Sequence, residues 1–198
     1  MAREPAGPKE LMAGSETDEA LMALVAARDQ RAFRVLMERH MARAIGLAER
    51  VVGANAEADD IGQEAFLRVW NHAPSFAPQT ARFTTWLYRI VLNLAIDRRR
   101  RPRHEQIDAA LDIASSEPQP VLQVIADEQH RAVARAMQAL PQRQRTAIAL
   151  FHMEGLSGRE AALVMDISEK AFESLLTRAR AALKEEVETS LQAHGRCR

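Results

Sequence analysis

Apolar residues recur at helical spacing over most of this 198-residue chain. In the second predicted helix, for example, Asp29 is a candidate N-cap, Phe33, Leu36 and Leu47 fall on one face, and Gly53 provides a stop. Runs in which β-branched residues alternate with polar ones and end in hairpin turns are almost absent. The pattern therefore predicts an all-α protein.

Eight helices follow from this spacing and from the residues that interrupt it. Four precede Pro102, and we place them at about residues 18–28, 29–53, 56–72 and 84–101. Pro74 and Pro78 separate the third helix from the fourth. Four more follow position 121, at about residues 122–139, 141–153, 157–165 and 168–191.

A stretch with two prolines near its end, and with more acidic than basic residues after Arg103, divides these helices into two groups, which predicts two small helical domains. Residues 1–16 are rich in Pro, Gly, Ala and charge, and we predict a disordered arm there. The first domain is predicted at residues 17–101 and the second at 122–188, with a flexible linker at 102–121 and a tail at 189–198. Such a linker should let the free protein sample several domain arrangements.

Charge and cysteine content narrow the possible environments. The formal net charge is +0, so any affinity for nucleic acid must come from the local distribution of charge. Cys197 is the only cysteine, which rules out an intrachain disulfide and fits a reducing compartment. No apolar run approaches the roughly 18 residues of a membrane span, and the N-terminal residues lack the apolar core of a signal peptide. We expect a cytoplasmic protein without direct membrane insertion.

An enzyme is the weakest interpretation of the sequence. The chain has no glycine-rich nucleotide-binding loop, and no helix pairs histidines at metal-ligand spacing. His194 and Cys197 would supply only two metal ligands, both on a frayed tail. We therefore predict no catalytic residue, no metal, no cofactor and no small-molecule substrate.

The clearest local signal lies in the second predicted domain. Ser157 and Glu160 have the spacing of a capping box, which begins a helix. Asp166 and Ile167 form a short turn, and Ser168 is a good N-cap for the next helix. Two helices joined by so tight a turn are typical of a helix-turn-helix that presents a recognition helix to a major groove. An ordinary helical hairpin with a solvated face is the alternative.

The recognition helix buries one apolar stripe and directs polar side chains outward. Such a helix can read base edges near its N-terminus and contact phosphates further along. The candidate DNA-binding residues of this unit are Arg159, Ser168, Lys170, Glu173, Ser174, Thr177, Arg178 and Arg180.

The third predicted helix has an acidic face. Glu57, Asp60 and Glu64 lie at positions i, i+3 and i+7, so they share one side of the helix. An acidic face avoids phosphates and suits a basic protein partner. A plain solvated face is the commoner explanation of such a charge run.

The fourth predicted helix has a polar stripe and a basic end. Arg89, Asn93 and Asp97 follow each other at i, i+4 and i+8, and arginines fill positions 98–101. This combination suits DNA contact, with the arginines on phosphates. Just upstream, the loop SFAPQTARFTTW contains aromatic residues that could stack on unpaired bases. Core packing is the better interpretation of Trp86, and for Phe83 packing and stacking are equally compatible with the sequence.

Three blocks of the chain, in this order, resemble the conserved regions of the extracytoplasmic-function (group 4) sigma factors of the sigma-70 family. They read DDIGQEAFLRVW, FTTWLYRIVLNLAIDRRRR and LPQRQRTAIALFHMEGLS with ISEKAFESLLTRARAAL. The resemblance covers roughly residues 20–187, and it implies a sigma region 2 helical bundle followed by a sigma region 4 helix-turn-helix. It further implies a subunit that binds core RNA polymerase, directs initiation at promoter DNA in a stress response, and is controlled by an anti-sigma factor.

The resemblance also implies roles for individual residues. The residues implied to dock on polymerase are Asp59, Asp60, Gln63 and Glu64. The loop from Phe76 to Thr85 is similar to the segment that captures a flipped base of the −10 element, and the helix from Ser168 is similar to the −35 reader. The residues implied to contact −10 DNA are Phe76, Arg82, Phe83, Thr84, Thr85, Arg89, Asn93, Asp97, Arg98, Arg100 and Arg101.

The recognition helix departs from the family pattern. Relatives often carry basic residues where Glu173 and Leu175 stand, and Glu173 could accept a hydrogen bond from a cytosine amino group. Leu175 adjoins Leu176, and we expect that both cannot be buried, which leaves one for a thymine methyl or an inhibitory partner. Two other functions remain open: a stand-alone helix-turn-helix regulator, and a sigma-like mimic that titrates an anti-sigma factor.

Overall fold

The computed structural model describes residues 16–52, 55–100 and 133–195. Within these ranges all regular secondary structure is helical, which confirms the predicted all-α class. The predicted linker at 102–121 lies outside the described residues, as does the predicted arm except for residue 16.

Four helices form the N-terminal domain within the described part of the chain. They are α1 (Asp18–Ala26), α2 (Gln30–Val52), α3 (Asn55–His72) and α4 (Phe83–Arg100), and a turn of 3-10 helix at Ala73–Ser75 follows α3. Helix α2 packs against both α3 and α4, and α1 closes one side of the bundle. The observed helix ends lie within two residues of the predicted ones, the scatter expected for frayed termini.

The C-terminal domain contains helical residues 133–139 (α5), α6 (Gln142–Ile148), α7 (Gly158–Met165) and α8 (Glu169–Gly195). A turn of π-helix, Ala149–Met153, continues α6. Helices α6 and α7 both pack on α8. We predicted that α8 would end near residue 191 and that 189–198 would be a tail, but the helix continues to Gly195.

The N-terminal domain has a core of large apolar side chains. Phe66 of α3, Leu36 of α2 and Phe83, Leu87 and Tyr88 of α4 are 0–1% exposed. Burial of each such side chain contributes about 1.5–3 kcal/mol. Because these residues recur at helical spacing, each helix has one fixed inner face, and its polar face is fixed with it.

The turn between α1 and α2 illustrates how side chains end and begin helices here. Arg28 adopts a left-handed conformation with a φ of 69°, which ends α1. The carboxylate of Asp29 then accepts hydrogen bonds from the backbone N–H groups of Arg31 at 2.7 Å and Ala32 at 3.1 Å, so it caps α2 as predicted. The Arg28 guanidinium lies over the ring of Trp70, which anchors the turn to α3.

The helix-turn-helix has the predicted caps. The Ser157 hydroxyl accepts from the Glu160 backbone N–H at 3.2 Å, and the Glu160 carboxylate accepts from the Ser157 backbone N–H at 2.9 Å. Asp166 ends α7 in the left-handed region with a φ of 54°, which Asp tolerates better than most residues. The Ser168 hydroxyl accepts from the Ala171 N–H at 3.2 Å and caps α8.

The two domains are in contact. Helix α4 packs along α7, and α2 contacts both α6 and the π-helical turn. We expected a linker that allows several arrangements, which stays a prediction; in the structure, the helix-turn-helix packs on α4 through α7.

The capping box makes a testable contribution to stability. We expect Ser157→Ala to lower the free energy of unfolding by about 1 kcal/mol, because the Glu160 N–H loses its acceptor. Chemical denaturation followed by circular dichroism measures this loss. Thr189→Ala, which removes an exposed hydroxyl in the middle of α8, is the control and should change stability by less than about 0.5 kcal/mol. Equal losses in the two variants would contradict the capping role.

The same motif predicts a pH dependence. The hydrogen bonds from the Ser157 hydroxyl and then from its backbone N–H lower the pKa of Glu160 below the ordinary value of 4.5. A carboxyl with a lowered folded-state pKa stabilises the fold above its ordinary pKa, and this stabilisation disappears as pH falls through the lowered value. The stability difference between wild type and Ser157→Ala should therefore be full at neutral pH and narrow in acid. A stability difference that widens in acid would contradict the lowered pKa of Glu160.

Candidate polymerase and nucleic-acid interfaces

The acidic face of α3 is directed away from the core. The side chains of Asp59, Asp60 and Gln63 are exposed, and that of Glu64 is about half-exposed. On the opposite side of the helix, Ile61 is buried. All four residues predicted to dock on polymerase therefore lie on one accessible surface.

Close packing of α3 on α2 holds this surface in place. A Cβ atom at Gly62 would lie 2.6 Å from Cγ1 of Ile45, a distance that side chains do not tolerate. Glycine therefore allows the two helices to approach closely here. A larger residue would require the Ile45 side chain or the backbone of α3 to shift.

Ion pairs connect the acidic face to its surroundings. The Glu64 carboxylate accepts from Nε of Arg68 at 3.1 Å within α3. Asp60 lies 3.4 Å from Nη1 of Arg98, at the basic end of α4. The predicted polymerase surface and the predicted DNA surface are therefore adjacent parts of one domain.

The polar stripe of α4 lies on the side opposite the core. Arg89, Asn93, Asp97 and Arg98 are all exposed, as the helical spacing predicted. Position 100 is the last of α4, and the description of that position covers its backbone only. Arg101, predicted to contact DNA, lies outside the described residues.

An aromatic cluster shapes the loop before α4. The ring of Phe76 lies 5.4 Å from that of Trp86 and 6.4 Å from that of Phe83, measured between ring centres. Phe76 and Trp86 are half-buried, so each keeps an accessible edge. A cavity of about 210 Å³ opens beside them; its lining includes Phe76, Thr80, Thr85, Trp86, Arg89 and Leu163.

Phe83 was predicted to contact DNA, and the structure corrects this prediction. Its side chain is 0% exposed and packs against the His40 ring, 5.2 Å away between centres. Its backbone N–H donates to the Glu19 carboxylate at 3.1 Å, which holds the first turn of α4 against α1. Phe83 is a core residue because it starts the buried stripe of α4.

Thr84, Thr85 and Arg82 lie around the same helix start. Thr84 is half-buried, and Arg82 is largely exposed. Thr85 is only 4% exposed, and its hydroxyl oxygen has no hydrogen-bond partner among the described residues. Since Thr85 lines the cavity, a ligand that enters it would meet an unsatisfied polar atom.

Helix α8 presents a mixed polar surface along its first turns. Lys170, Glu173, Ser174, Thr177 and Arg178 are exposed, while Arg159 is exposed at the start of α7. The sequence thus identified the accessible face of the recognition helix.

One expectation for α8 is wrong. Leu175 and Leu176 are both buried, at 9% and 5% exposure, because one faces each flank of the apolar stripe. Neither is therefore left over for a thymine methyl or a partner. Arg180 also contacts its own domain: its Nε lies 3.1 Å from Nε2 of His152, and its guanidinium lies over the Phe151 ring. Its side chain is nevertheless exposed, so its contact with DNA stays a prediction.

Glu154, just after the π-helical turn, is a residue that sequence reasoning missed. Its side chain is 4% exposed and accepts hydrogen bonds from the Tyr88 hydroxyl at 2.7 Å and from Nε of Arg43 at 3.0 Å. Burial raises the pKa of Tyr88, and the bond to Glu154 raises it further. No sequence signal identifies these partners, since residues from two domains meet only in the folded chain.

Metal-binding clusters and membrane spans are both missing from the described part of the chain. No three or more His, Cys, Asp or Glu side chains there lie close enough together to hold a metal ion. None of the helices in the same residue ranges is long and apolar enough to cross a membrane.

Comparison with known proteins agrees with this geometry. Residues 36–105 match the family Sigma-70 region 2, and residues 130–183 match Sigma-70, region 4. The RNA polymerase sigma-H factor of Pseudomonas aeruginosa is 34% identical over 196 residues, which cover 91% of this chain and 99% of that protein. The ECF RNA polymerase sigma-E factor of Escherichia coli K12 is 33% identical over 185 residues, 87% of this chain and 95% of that protein.

Solved structures show the same fold. CnrH, in complex with the cytosolic domain of CnrY, superimposes with a TM-score of 0.65 at 31% identity, covering 88% of this chain and 99% of CnrH. The sigma factor RpoE of Bartonella quintana, in complex with the anti-sigma factor NepR, gives a TM-score of 0.61 at 21% identity, covering 79% and 96%.

The chain belongs to the extracytoplasmic-function sigma factors of the sigma-70 family. Proteins of this family are transcription initiation factors rather than enzymes, so family membership confirms the prediction that the chain has no catalytic function. The helix bundle that contains α3 and α4 corresponds to region 2, and the helix-turn-helix of α7 and α8 belongs to region 4.

The contact between Glu19 and α4 can be tested. We expect Glu19→Ala to destabilise the domain by about 1 kcal/mol, because the Phe83 N–H at the helix start loses a carboxylate acceptor. Hydrogen exchange at that amide should accelerate more than exchange in the middle of α4. Glu38→Ala, which removes an exposed carboxylate from α2, is the matched control and should leave both rates unchanged. Unchanged exchange in Glu19→Ala would contradict the capping role.

Proposed function

We propose that this chain binds core RNA polymerase and directs initiation at a specific set of promoters, with region 2 docking on polymerase and opening the −10 element. The observation that carries the proposal is the arrangement of α3 and α4. An accessible acidic face and an accessible polar and basic face lie side by side on one bundle, joined through Asp60 and Arg98.

The acidic face of α3 is suited to a basic protein surface. Asp59, Asp60, Gln63 and Glu64 are accessible, and carboxylates would repel the phosphates of DNA. Because the closely packed Gly62 fixes α3 on α2, the face is preformed and needs little ordering on binding. We assign it to polymerase docking.

The cavity before α4 is suited to an unpaired base. It offers the edges of two aromatic rings for stacking, the guanidinium of Arg89 and the unsatisfied hydroxyl of Thr85. Extracting a base from the duplex costs a few kcal/mol, and a pocket with these groups offsets part of that cost. Asn93, Asp97 and Arg98 would extend the contact along the strand.

The N-terminal turns of α8 are suited to reading the −35 element. Lys170, Glu173 and Ser174 lie where a recognition helix meets base edges, and Arg178 lies one turn further along. Only two of these four side chains are basic. We therefore assign Glu173 to a cytosine amino group and expect upstream specificity that differs from that of relatives with basic residues there.

We also propose that the chain is controlled by an anti-sigma factor. We further propose that it acts in the cytoplasm, as part of a stress response. CnrH and the Bartonella RpoE were each solved with a bound protein, and NepR, the protein bound to RpoE, is an anti-sigma factor. A sigma-like mimic would weaken its DNA contacts. The exposed stripe of Arg89, Asn93, Asp97 and Arg98 favours an active initiation factor instead.

Run-off transcription tests the proposal as a whole. The purified chain is mixed with core polymerase and genomic fragments, and the start sites of the transcripts are mapped. We expect discrete start sites that are absent with core alone. An absence of specific transcripts would contradict the proposed function, and DNA binding in the absence of core would then favour a stand-alone regulator.

Charge reversal on α3 separates polymerase docking from DNA binding. We expect Asp60→Lys with Glu64→Lys to weaken binding to core polymerase at least tenfold, because like charges then meet across the interface. Region 4 should still bind DNA, which an electrophoretic shift can show. Glu185→Lys with Glu186→Lys, an equal charge change on exposed positions of α8, is the control and should leave core binding intact. Equal losses in the two double variants would contradict the assignment of α3.

A further inference from the structure

His40 of α2 is a buried histidine that none of the proposed interfaces includes. Its side chain is 8% exposed, and its Nε2 lies 2.7 Å from Oδ2 of Asp18 in the first turn of α1. Because a carboxylate accepts, Nε2 carries a proton and donates. The other ring nitrogen, Nδ1, is buried and has no hydrogen-bond partner among the described residues. The bond to Asp18 is therefore the polar contact that orients the imidazole ring.

The Asp18 carboxylate is itself held in a fixed position. Its Oδ1 accepts from Nη1 of Arg39 at 2.9 Å, and the same nitrogen donates to the backbone carbonyl of Glu16 at 2.8 Å. The hydroxyl of Thr17 caps α1 at this point. Two adjacent residues of α2, Arg39 and His40, thus bind the first turn of α1.

The His40 ring also contacts the start of α4. Its centre lies 5.2 Å from that of the Phe83 ring, and the two planes are inclined by 63°, an edge-to-face arrangement. The backbone N–H of Phe83 donates to the carboxylate of Glu19, the residue after Asp18. Neighbouring carboxylates of α1 therefore fix both the ring and the backbone of Phe83, one through His40 and the other directly.

Phe83 connects this contact to the aromatic cavity. Its ring centre lies 6.4 Å from that of Phe76 and 6.5 Å from that of Trp86. Phe76 and Trp86 line the cavity of about 210 Å³, whereas Phe83 is fully buried and does not. Because buried side chains are closely packed, a displacement of the Phe83 ring would displace the two rings that line the cavity.

Helix α1 also supports the loop between the 3-10 turn and α4. It packs on the turn at Ala73–Ser75, directly before Phe76, and on α4. Both ends of the loop at residues 76–82 therefore rest on the same helix. The position of α1 on α2, which the His40–Asp18 bond helps to set, determines where the two ends lie.

Core packing alone does not account for an imidazole at position 40. A leucine would fill a similar volume without leaving a buried nitrogen unpaired, which is unfavourable. The property that leucine lacks is a donor for the Asp18 carboxylate. The contribution of His40 is therefore orientation of its neighbours as well as packing.

We propose that His40 is a positioning residue for base capture at the −10 cavity. Through its hydrogen bond to Asp18 and its contact with Phe83, it holds the two aromatic rings of the cavity in the arrangement that receives a base. His40 does not touch DNA, since its side chain is buried and does not line the cavity. The inference rests on the proposed function and deepens it.

The first test needs no DNA. Trp70→Phe leaves Trp86 as the only tryptophan of the chain, so its fluorescence reports on the cavity. In this background we expect His40→Leu to increase acrylamide quenching of Trp86. His40→Gln should keep the parent quenching, because a glutamine amide can donate to Asp18 as Nε2 does.

The second test measures base capture by the holoenzyme. Fluorescence anisotropy follows binding of a labelled single strand that carries the −10 sequence mapped by run-off transcription. When the cavity is correctly formed in only a fraction of the molecules, the dissociation constant rises by the inverse of that fraction. We expect His40→Leu to weaken binding by about five- to tenfold and His40→Gln by less than about twofold. Affinity for core polymerase should stay at the parent value in both variants, since the acidic face belongs to α3.

Two further variants keep the outcome unambiguous. His72→Leu makes the same replacement at an exposed position and should leave both quenching and binding at parent values. If circular dichroism shows that His40→Leu does not fold, Asp18→Ala replaces it. That change removes the same hydrogen bond at a side chain that is 21% exposed, and it should increase quenching and weaken binding in the same way.

Parent-like quenching and binding in a folded variant without the His40–Asp18 bond would overturn the proposal. So would a glutamine variant that behaves like leucine, or a loss of core binding in step with the loss of DNA binding, because either result indicates a general packing role. Failure of the proposed function looks different: the parent holoenzyme would give no specific transcripts, while quenching would still show whether His40 positions Trp86.

Discussion

Burial of one face of α4 is the constraint on which the region 2 sites depend. Phe83, Leu87 and Tyr88 occupy the core, so the residues on the other side of the helix face outward. This single packing arrangement exposes Arg89, Asn93 and Asp97, places Thr85 at the wall of the aromatic cavity and brings Arg98 beside Asp60. Helix α3 is fixed in turn by its close approach to α2 at Gly62. Recognition surfaces here are the outer sides of a packed core, which gives them precise positions without dedicated loops.

The two charged surfaces of region 2 differ in sign, which fits the different targets that we propose for them. Carboxylates on α3 favour a protein with basic side chains and disfavour DNA, whereas the stripe on α4 favours the phosphate backbone. Their contact through Asp60 and Arg98 couples the two surfaces, so a partner on one changes the electrostatic environment of the other. Region 4 does not separate the two signs of charge onto different helices in this way. Lys170 and Glu173 share the first turns of α8, and this mixed charge favours selective hydrogen bonding over general attraction to DNA.

Local signals in the sequence predicted the helices, the caps at Asp29, Ser157 and Ser168, and the exposure of the α4 stripe, because periodicity and capping depend on neighbours within a few residues. The predictions that were wrong concern side chains whose burial depends on residues far away in the sequence. Leu175 and Leu176 are both buried because the stripe of α8 is wider than the spacing suggested. Phe83 is enclosed by α1 and α2, which does not follow from adjacent positions. The partners of Glu154 lie more than 60 residues away, so no local pattern could identify them.

The Glu154 carboxylate has an evolutionary consequence. Because its compensating groups are encoded in the other domain, the effect of a change at position 154 on stability depends on Arg43, Arg50 and Tyr88. Regions 2 and 4 of this chain are therefore not freely interchangeable modules. A chimera that joins its region 4 to a region 2 without these groups would contain the carboxylate without its arginines, whereas exchange of the two halves together would keep the contact.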